Sequence, residues 1–255
     1  MIVSMRRIIE RFRLINMFIK HLFEKTGFHE DYDWSAVENL ENEENPDKLM
    51  RYEHCKWAMD ELYKIQPALE DCNIMYLLMF SNDISLKDRD MLMKYQIDRN
   101  ISQIVRVTKI TMQDIDRMLG TLNHSISEMI EDTNFEDRCD WSYVEDFADI
   151  SDKRELELLD RYTDVMCKFA DINDVLSYCE RRIIGESVLK RNAQGFYEDE
   201  FHEYHSRSEI EFYYFDEQDK KYKWKNNLFF ERNDKCSIWD YPDVQLDGLR
   251  VRYRE

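Results

Sequence analysis

The sequence predicts a mainly α protein: an internally duplicated helical bundle of two three-helix repeats plus a connecting helix, followed by a small C-terminal antiparallel β region. Three observations predict it. Glycine and proline number only 5 and 3 in 255 residues, whereas tight sheet turns draw heavily on glycine. The segment Thr26 to Glu38, TGFHEDYDWSAVE, recurs 107 positions later as Thr133 to Glu145, TNFEDRCDWSYVE, with seven residue types at the same offsets. From Glu209 onward, apolar residues alternate with polar ones in the manner of strands.

The first helix is read from Ile8, Phe12, Ile15, Ile19 and Leu22, which step by four, three, four and three. That spacing makes a narrow apolar seam on one helix face. Its counterpart is Ile115, Leu119, Leu122, Ile126 and Met129, each 107 positions on. The opposite faces differ: Arg6, Arg7, Arg11 and Arg13 correspond to Gln113, Asp114, Met118 and Gly120. The seam is therefore core, and the basic face of the first helix needs another explanation. Both helices are expected to stop at Gly27 and Asn134, residue types that tolerate the left-handed conformation past a helix end. Phe28 and Phe135 would then pack back on Phe23 and Ile130.

Ser35 with Glu38, and Ser142 with Glu145, have the S-x-x-E spacing of a capping box. Trp34 and Trp141 are expected to enter the inter-helix core. A second helix follows, opened by Asn45-Pro46 as cap and first helical residue. Its stripe is Leu49, Tyr52, Cys55, Met59 and Leu62, matched by Leu156, Leu159, Tyr162, Met166 and Phe169. Third helices are expected to start at Gln66-Pro67 and Asn173-Asp174. Met5 to Leu77 and Met112 to Ile184 share seventeen identities. Between the copies, Ser85 to Thr111 reads as a connecting helix that could run directly into the second copy, with a break near Asn100 as the alternative.

Arg191 to Glu200 reads as a polar link. Strands are expected at Glu209 to Phe215, Lys221 to Glu231, Cys236 to Trp239, Val244 to Leu246 and Leu249 to Arg254, with Asp247-Gly248 as a hairpin turn. The expected organisation is repeat one over 1–84, the connector over 85–111, repeat two over 112–190, and the β region over 207–255. The last is expected to dock on the helices through Phe212, Tyr214, Trp224, Phe229 and Trp239.

The net charge of −18 argues against a duplex-binding protein and favours a basic partner. Acid is concentrated: Thr26 to Met50 holds eight Asp or Glu against one Lys, and Thr121 to Ile150 nine against one Arg. The candidate partner-binding acids are Glu30, Asp31, Asp33, Glu41, Glu43, Glu44, Asp132, Glu136, Asp137, Asp140, Asp146 and Asp149. Few are shared between the copies, which suggests a field more than a coordination geometry; carboxylates near helix starts are also favoured by the macrodipole.

Catalytic signals are sparse. Arg117 and His124 have a spacing used in some helical ribonucleases, but it arises easily by chance. His202 and His205, three apart, could share a metal on a helix; a solvated polar turn is the plainer reading. Asp33, Asp140, Glu38 and Glu145 could bind metal, but capping already accounts for the two Glu. No glycine-rich phosphate loop, EF-hand or H-E-x-x-H spacing occurs, and no cofactor is expected. Lys220 to Lys225 with Arg250, Arg252 and Arg254 could contact a single strand, but also fit exposed bases opposite buried aromatics on a small sheet.

Cys55, Cys72, Cys139, Cys167, Cys179 and Cys236 form no C-x-x-C pair and are expected to be reduced thiols in a cytoplasmic protein. No secretory signal is expected, and Ile74 to Phe80 is too short an apolar run to span a bilayer. The sequence therefore points to a non-enzymatic acidic protein that binds a basic surface. Its concrete form is a nucleic-acid-mimicking inhibitor of a nucleic-acid-binding enzyme, of the defence or counter-defence type. The alternatives are a helical scaffold or regulatory subunit, and a metal-dependent hydrolase or ribonuclease. Oligomeric state is not legible.

Overall fold

The computed structural model describes residues 3–26, 34, 37, 43–80, 110–133, 135, 144–145, 153–232 and 235–255. Among them are four helices, α1 (Met5–Thr26), α2 (Pro46–Phe80), α3 (Met112–Thr133) and α4 (Lys153–Tyr178). The chain divides into a helical unit, Met1–Glu41 with Tyr52–Tyr178, and a β unit, Asn42–Arg51 with Cys179–Glu255.

In the helical unit, α1 and α3 bury the seams read from the sequence. Ile8, Phe12, Ile15, Ile19 and Leu22 are buried, as are Ile115, Leu119, Leu122, Ile126 and Met129. Phe12 stacks on Tyr162 at 4.4 Å between ring centroids and on Phe169 at 6.1 Å. Burying each such ring contributes about 1.5–3 kcal/mol. Trp34 is partly buried against this core.

The helix ends follow local chemistry. The Thr26 hydroxyl donates to the Leu22 carbonyl at 2.8 Å, and the Thr133 hydroxyl to the Met129 carbonyl at 2.7 Å. The Phe135 N–H donates to the Ile130 carbonyl at 3.1 Å, the six-to-one bond of a glycine-type C-cap, and Phe135 is buried. The equivalent Gly27-Phe28 cap lies outside the described residues. At the start of α3 the Thr111 hydroxyl accepts from the Asp114 N–H at 3.1 Å, while Asp114 accepts from the Thr111 N–H at 3.2 Å. This reciprocal cap makes Thr111 the point where the helix starts. The expected connector therefore does not run unbroken into α3; the rest of it, up to residue 109, lies outside the described residues.

Three further expectations are corrected. Helix α2 passes through Pro67, and α4 passes through Asn173-Asp174, so neither repeat has a third helix at those points. The buried stripe Leu62, Ile65, Leu69 and Cys72 continues across Pro67. Packing of that stripe outweighs the hydrogen bond the proline removes. The strand β2 (Val144–Glu145) forms a short parallel pair with β1 (Val3–Ser4), so Glu145 does not stand in the first turn of a helix. Leu156 is 43% exposed, and Leu158 takes the buried place. The Ser35 to Glu38 box and Trp141 are not among the fully described segments.

In the β unit, β3 (Ile183–Val188), β7 (Glu209–Asp216), β8 (Lys221–Arg232), β9 (Lys235–Ile238) and β10 (Arg250–Arg254) form a sheet of order β3-β10-β7-β8-β9. Its described pairings are antiparallel, with Tyr213 opposite Trp224 and Val251 opposite Phe212. A smaller sheet joins β4 (Lys190–Arg191), β5 (Tyr197–Glu198) and β6 (Glu203–Tyr204). Strand structure in the β unit thus begins at Ile183, and Arg191 to Glu200 is part of a sheet and its turn, not a plain link. Val244 to Leu246 is not a strand. Asp247-Gly248 is still a turn: Gly248 has φ +81°, and the Leu249 N–H donates to the Leu246 carbonyl at 3.0 Å.

Phe212 and Phe229 lie in the β unit's own core with Leu189, Tyr204, Ile210, Ile238, Leu246 and Val251. Trp239 is 53% exposed. The β unit thus has an aromatic and aliphatic core of its own.

Candidate functional site

Three of the twelve candidate acids are described. Glu43 Oε1 accepts from the Asn45 N–H at 3.0 Å, and its other oxygen pairs with Lys48 at 3.2 Å. The Asn45 N–H and Lys48 hold its carboxyl below the usual range, against a smaller cost of burial. Asp132 pairs with Arg7 at 3.5 Å and with Arg11. Glu44 is exposed. Glu30, Asp31, Asp33, Glu41, Glu136, Asp137, Asp140, Asp146 and Asp149 lie outside the described residues. Two of the three described acids are therefore spent on contacts within the chain.

The weaker catalytic and metal candidates are placed as follows. Arg117 and His124 are both on α3, two turns apart and solvent-facing. Arg117 pairs with Asp114 at 3.4 Å, and His124 with Glu128 at 3.4 Å. His202 and His205 flank β6, a strand and not the helix that a shared metal would need. His202 lies 3.6 Å from buried Asp199 and against the Tyr204 ring, at 4.1 Å. His205 lies 3.2 Å from Glu203 and against the Phe196 ring, at 5.7 Å. The two imidazoles have different partners.

Sequence reasoning missed a buried charge cluster in the β unit. Alternation placed the arginines of β10 and the lysines of β8 in solvent, yet Arg252 and Lys223 are 2% and 3% exposed. Arg252 sits opposite Glu211 in the β10–β7 register and pairs with it, as Arg254 does at 2.8 Å. Its other nitrogen donates to Asp47, and its guanidinium lies 4.1 Å from the Trp224 ring centroid. Burial alone would lower its pKa, but Glu211 and Asp47 outweigh that and raise it. Arg250 extends the cluster outward over Tyr213, at 4.9 Å. Lys223 is held by Asp216 at 3.2 Å and by Asp219. These side chains neutralise one another and cement the sheet.

Four cysteines, Cys55, Cys72, Cys179 and Cys236, form no disulfide, but Cys167 is disulfide-bonded, so the expectation of uniformly reduced thiols fails there. No helix among the described residues is long and apolar enough to cross a membrane. Comparison of the chain with protein-family models, with curated proteins and with solved structures yields no match.

Proposed function

We propose that the chain is a non-enzymatic interaction protein whose helical unit offers an acidic surface to a basic partner. The observation that carries this reading is the division of charge. The helical unit has 34 Asp and Glu against 20 Lys and Arg, a net −14; the β unit has 20 against 16, a net −4. A field of that size steers oppositely charged partners and raises their rate of encounter. Asp160, Asp164 and Asp174 on α4 are exposed and lie in the strongly charged unit. The concrete form is a decoy occupying the nucleic-acid groove of an enzyme, where rows of carboxylates approximate the charge density of a duplex.

The test is displacement of a labelled duplex from basic nucleic-acid enzymes, followed by fluorescence anisotropy at rising salt. A decoy displaces the duplex, loses potency steeply with salt, and is weakened by the triple change Asp160→Asn, Asp164→Asn and Asp174→Asn. Displacement indifferent to salt and to those changes would leave the helical scaffold as the better reading.

We infer further that the helical unit descends from one doubled helix pair. The equal lengths of α1 and α3, the matching Thr26 and Thr133 end bonds, and the burial of both Asn16 and Asn123 support it. An experimental structure in which α1 with α2 superposes on α3 with α4 no better than unrelated helix pairs would overturn it.

A further inference from the structure

The basic face of α1 has no role in an acidic decoy. Helix α1 carries six Lys or Arg against two Glu inside a unit of net −14. Beside that face a groove of about 290 Å³ opens between α1 and α3. Its walls are apolar: Leu14, Ile15 and Phe18 from α1 and Leu122 from α3. Arg11 and Ser125 supply polar groups, and Glu128 stands at the rim, 56% exposed and paired with His124.

We propose that this groove binds a monocarboxylate with a short unbranched apolar chain. Arg11 directs the choice of head group. Its Nη2 is committed to Asp132, while its Nη1 is buried and has no acceptor among the described residues. A buried guanidinium N–H without an acceptor is costly, and a carboxylate is the partner its fork fits best. The apolar walls take the chain. A cavity of about 150 Å³ takes benzene, so a groove of about 290 Å³ suits a chain of roughly octanoate's size.

The 107-residue correspondence shows why the groove exists on this side. Phe18 and Ser125 are counterparts, and the small serine leaves open the space its aromatic counterpart would fill. Arg11 has Met118 as its counterpart, which is buried, so the head-group contact belongs to α1 alone.

The test is calorimetric titration of the full chain with octanoate below its aggregation threshold, beside octanol and octylamine. Octanoate should bind one to one and saturably, and octanol more weakly. Arg11→Met should weaken octanoate roughly ten- to hundredfold and leave octanol unchanged. Asp132→Asn, which removes the ion pair but not the groove, should retain octanoate binding. Ser125→Phe should abolish binding of both; should that variant fail to fold, the Arg11→Met comparison decides. No saturable binding of octanoate, equal affinity in Arg11→Met, or octylamine binding as tightly as octanoate overturns the proposal.

Discussion

The Arg252 guanidinium lies over the Trp224 ring at 4.1 Å while its nitrogens pair with Glu211 and Asp47. The indole covers the face of the cation, and the carboxylates take its edge. Glu211 is itself 1% exposed and also serves Arg254. Its negative charge is therefore shared by two guanidinium groups, and Glu211→Gln leaves both undercompensated. Unfolding in urea, followed by tryptophan fluorescence, should show a loss of about 3–5 kcal/mol. A loss within the error of the wild-type value would mean that the cluster is adequately solvated.

Asn123 and Asn16 are both buried, but in unlike surroundings. Asn123 donates to the Ser177 hydroxyl at 3.0 Å and accepts from Asn173 at 3.0 Å. Asn16 Oδ1 has no acceptor–donor pairing among the described residues. Asn123→Ala should cost about 1–3 kcal/mol, since it strands polar neighbours. Asn16→Leu should be near neutral or stabilising. Thermal melting of the two variants gives the comparison, and equal losses would contradict it.

Two glycines should respond to alanine in opposite directions. Gly120 lies inside α3, and an added Cβ there would meet nothing within 4 Å. Gly120→Ala should stabilise by about 0.5–1 kcal/mol through helix propensity. Gly248, at φ +81°, needs the left-handed conformation, so Gly248→Ala should destabilise by about 1 kcal/mol or more. Denaturant midpoints measure both.

Burial pushes the Cys72 thiol up from 9.0 to about 11. The unfolded chain then releases this proton between pH 9 and 11 while the folded chain keeps it. Stability falls as pH rises through that window. Cys72→Val should flatten the alkaline decline in a series of melts, whereas an unchanged slope would place the effect elsewhere.

Asp216 behaves in the opposite sense. Burial would raise its pKa, but the Asp219 N–H, Lys223 and the Gln218 N–H outweigh burial and hold it below 3.8. Its contribution is present above that value and is lost as pH falls through the folded pKa. The acid limb of β-unit unfolding should be shallower in Asp216→Asn. Near-ultraviolet circular dichroism follows it, and an identical limb would exclude the turn at Asp216 as its source.

Local signals were legible in the sequence, and distant partnerships were not. The α1 and α3 seams, the Asn45 cap, the Phe135 back-bond and most of β7 and β8 follow from spacing of a few residues. Asn45 Oδ1 does accept from the Asp47 N–H at 2.9 Å. Pro67 misled because a local rule predicts a break, whereas the buried stripe on both sides of it holds the helix together. Arg252 and Lys223 misled because a charged residue in an alternating strand defaults to solvent. Their burial depends on Glu211 and Asp219, and in the case of Arg252 also on Asp47, 205 positions away. The acidic windows remain readable only as composition, since most of their candidate residues lie outside the described segments.

Asp47 and Met50 meet Arg252 from a decapeptide that enters the β unit far ahead of its strands in the chain. No single cut can excise that unit whole. A fragment beginning at Cys179 would carry a buried cation stripped of one counter-ion, and the separate peptide 42–51 is the natural reagent to restore it by complementation in trans.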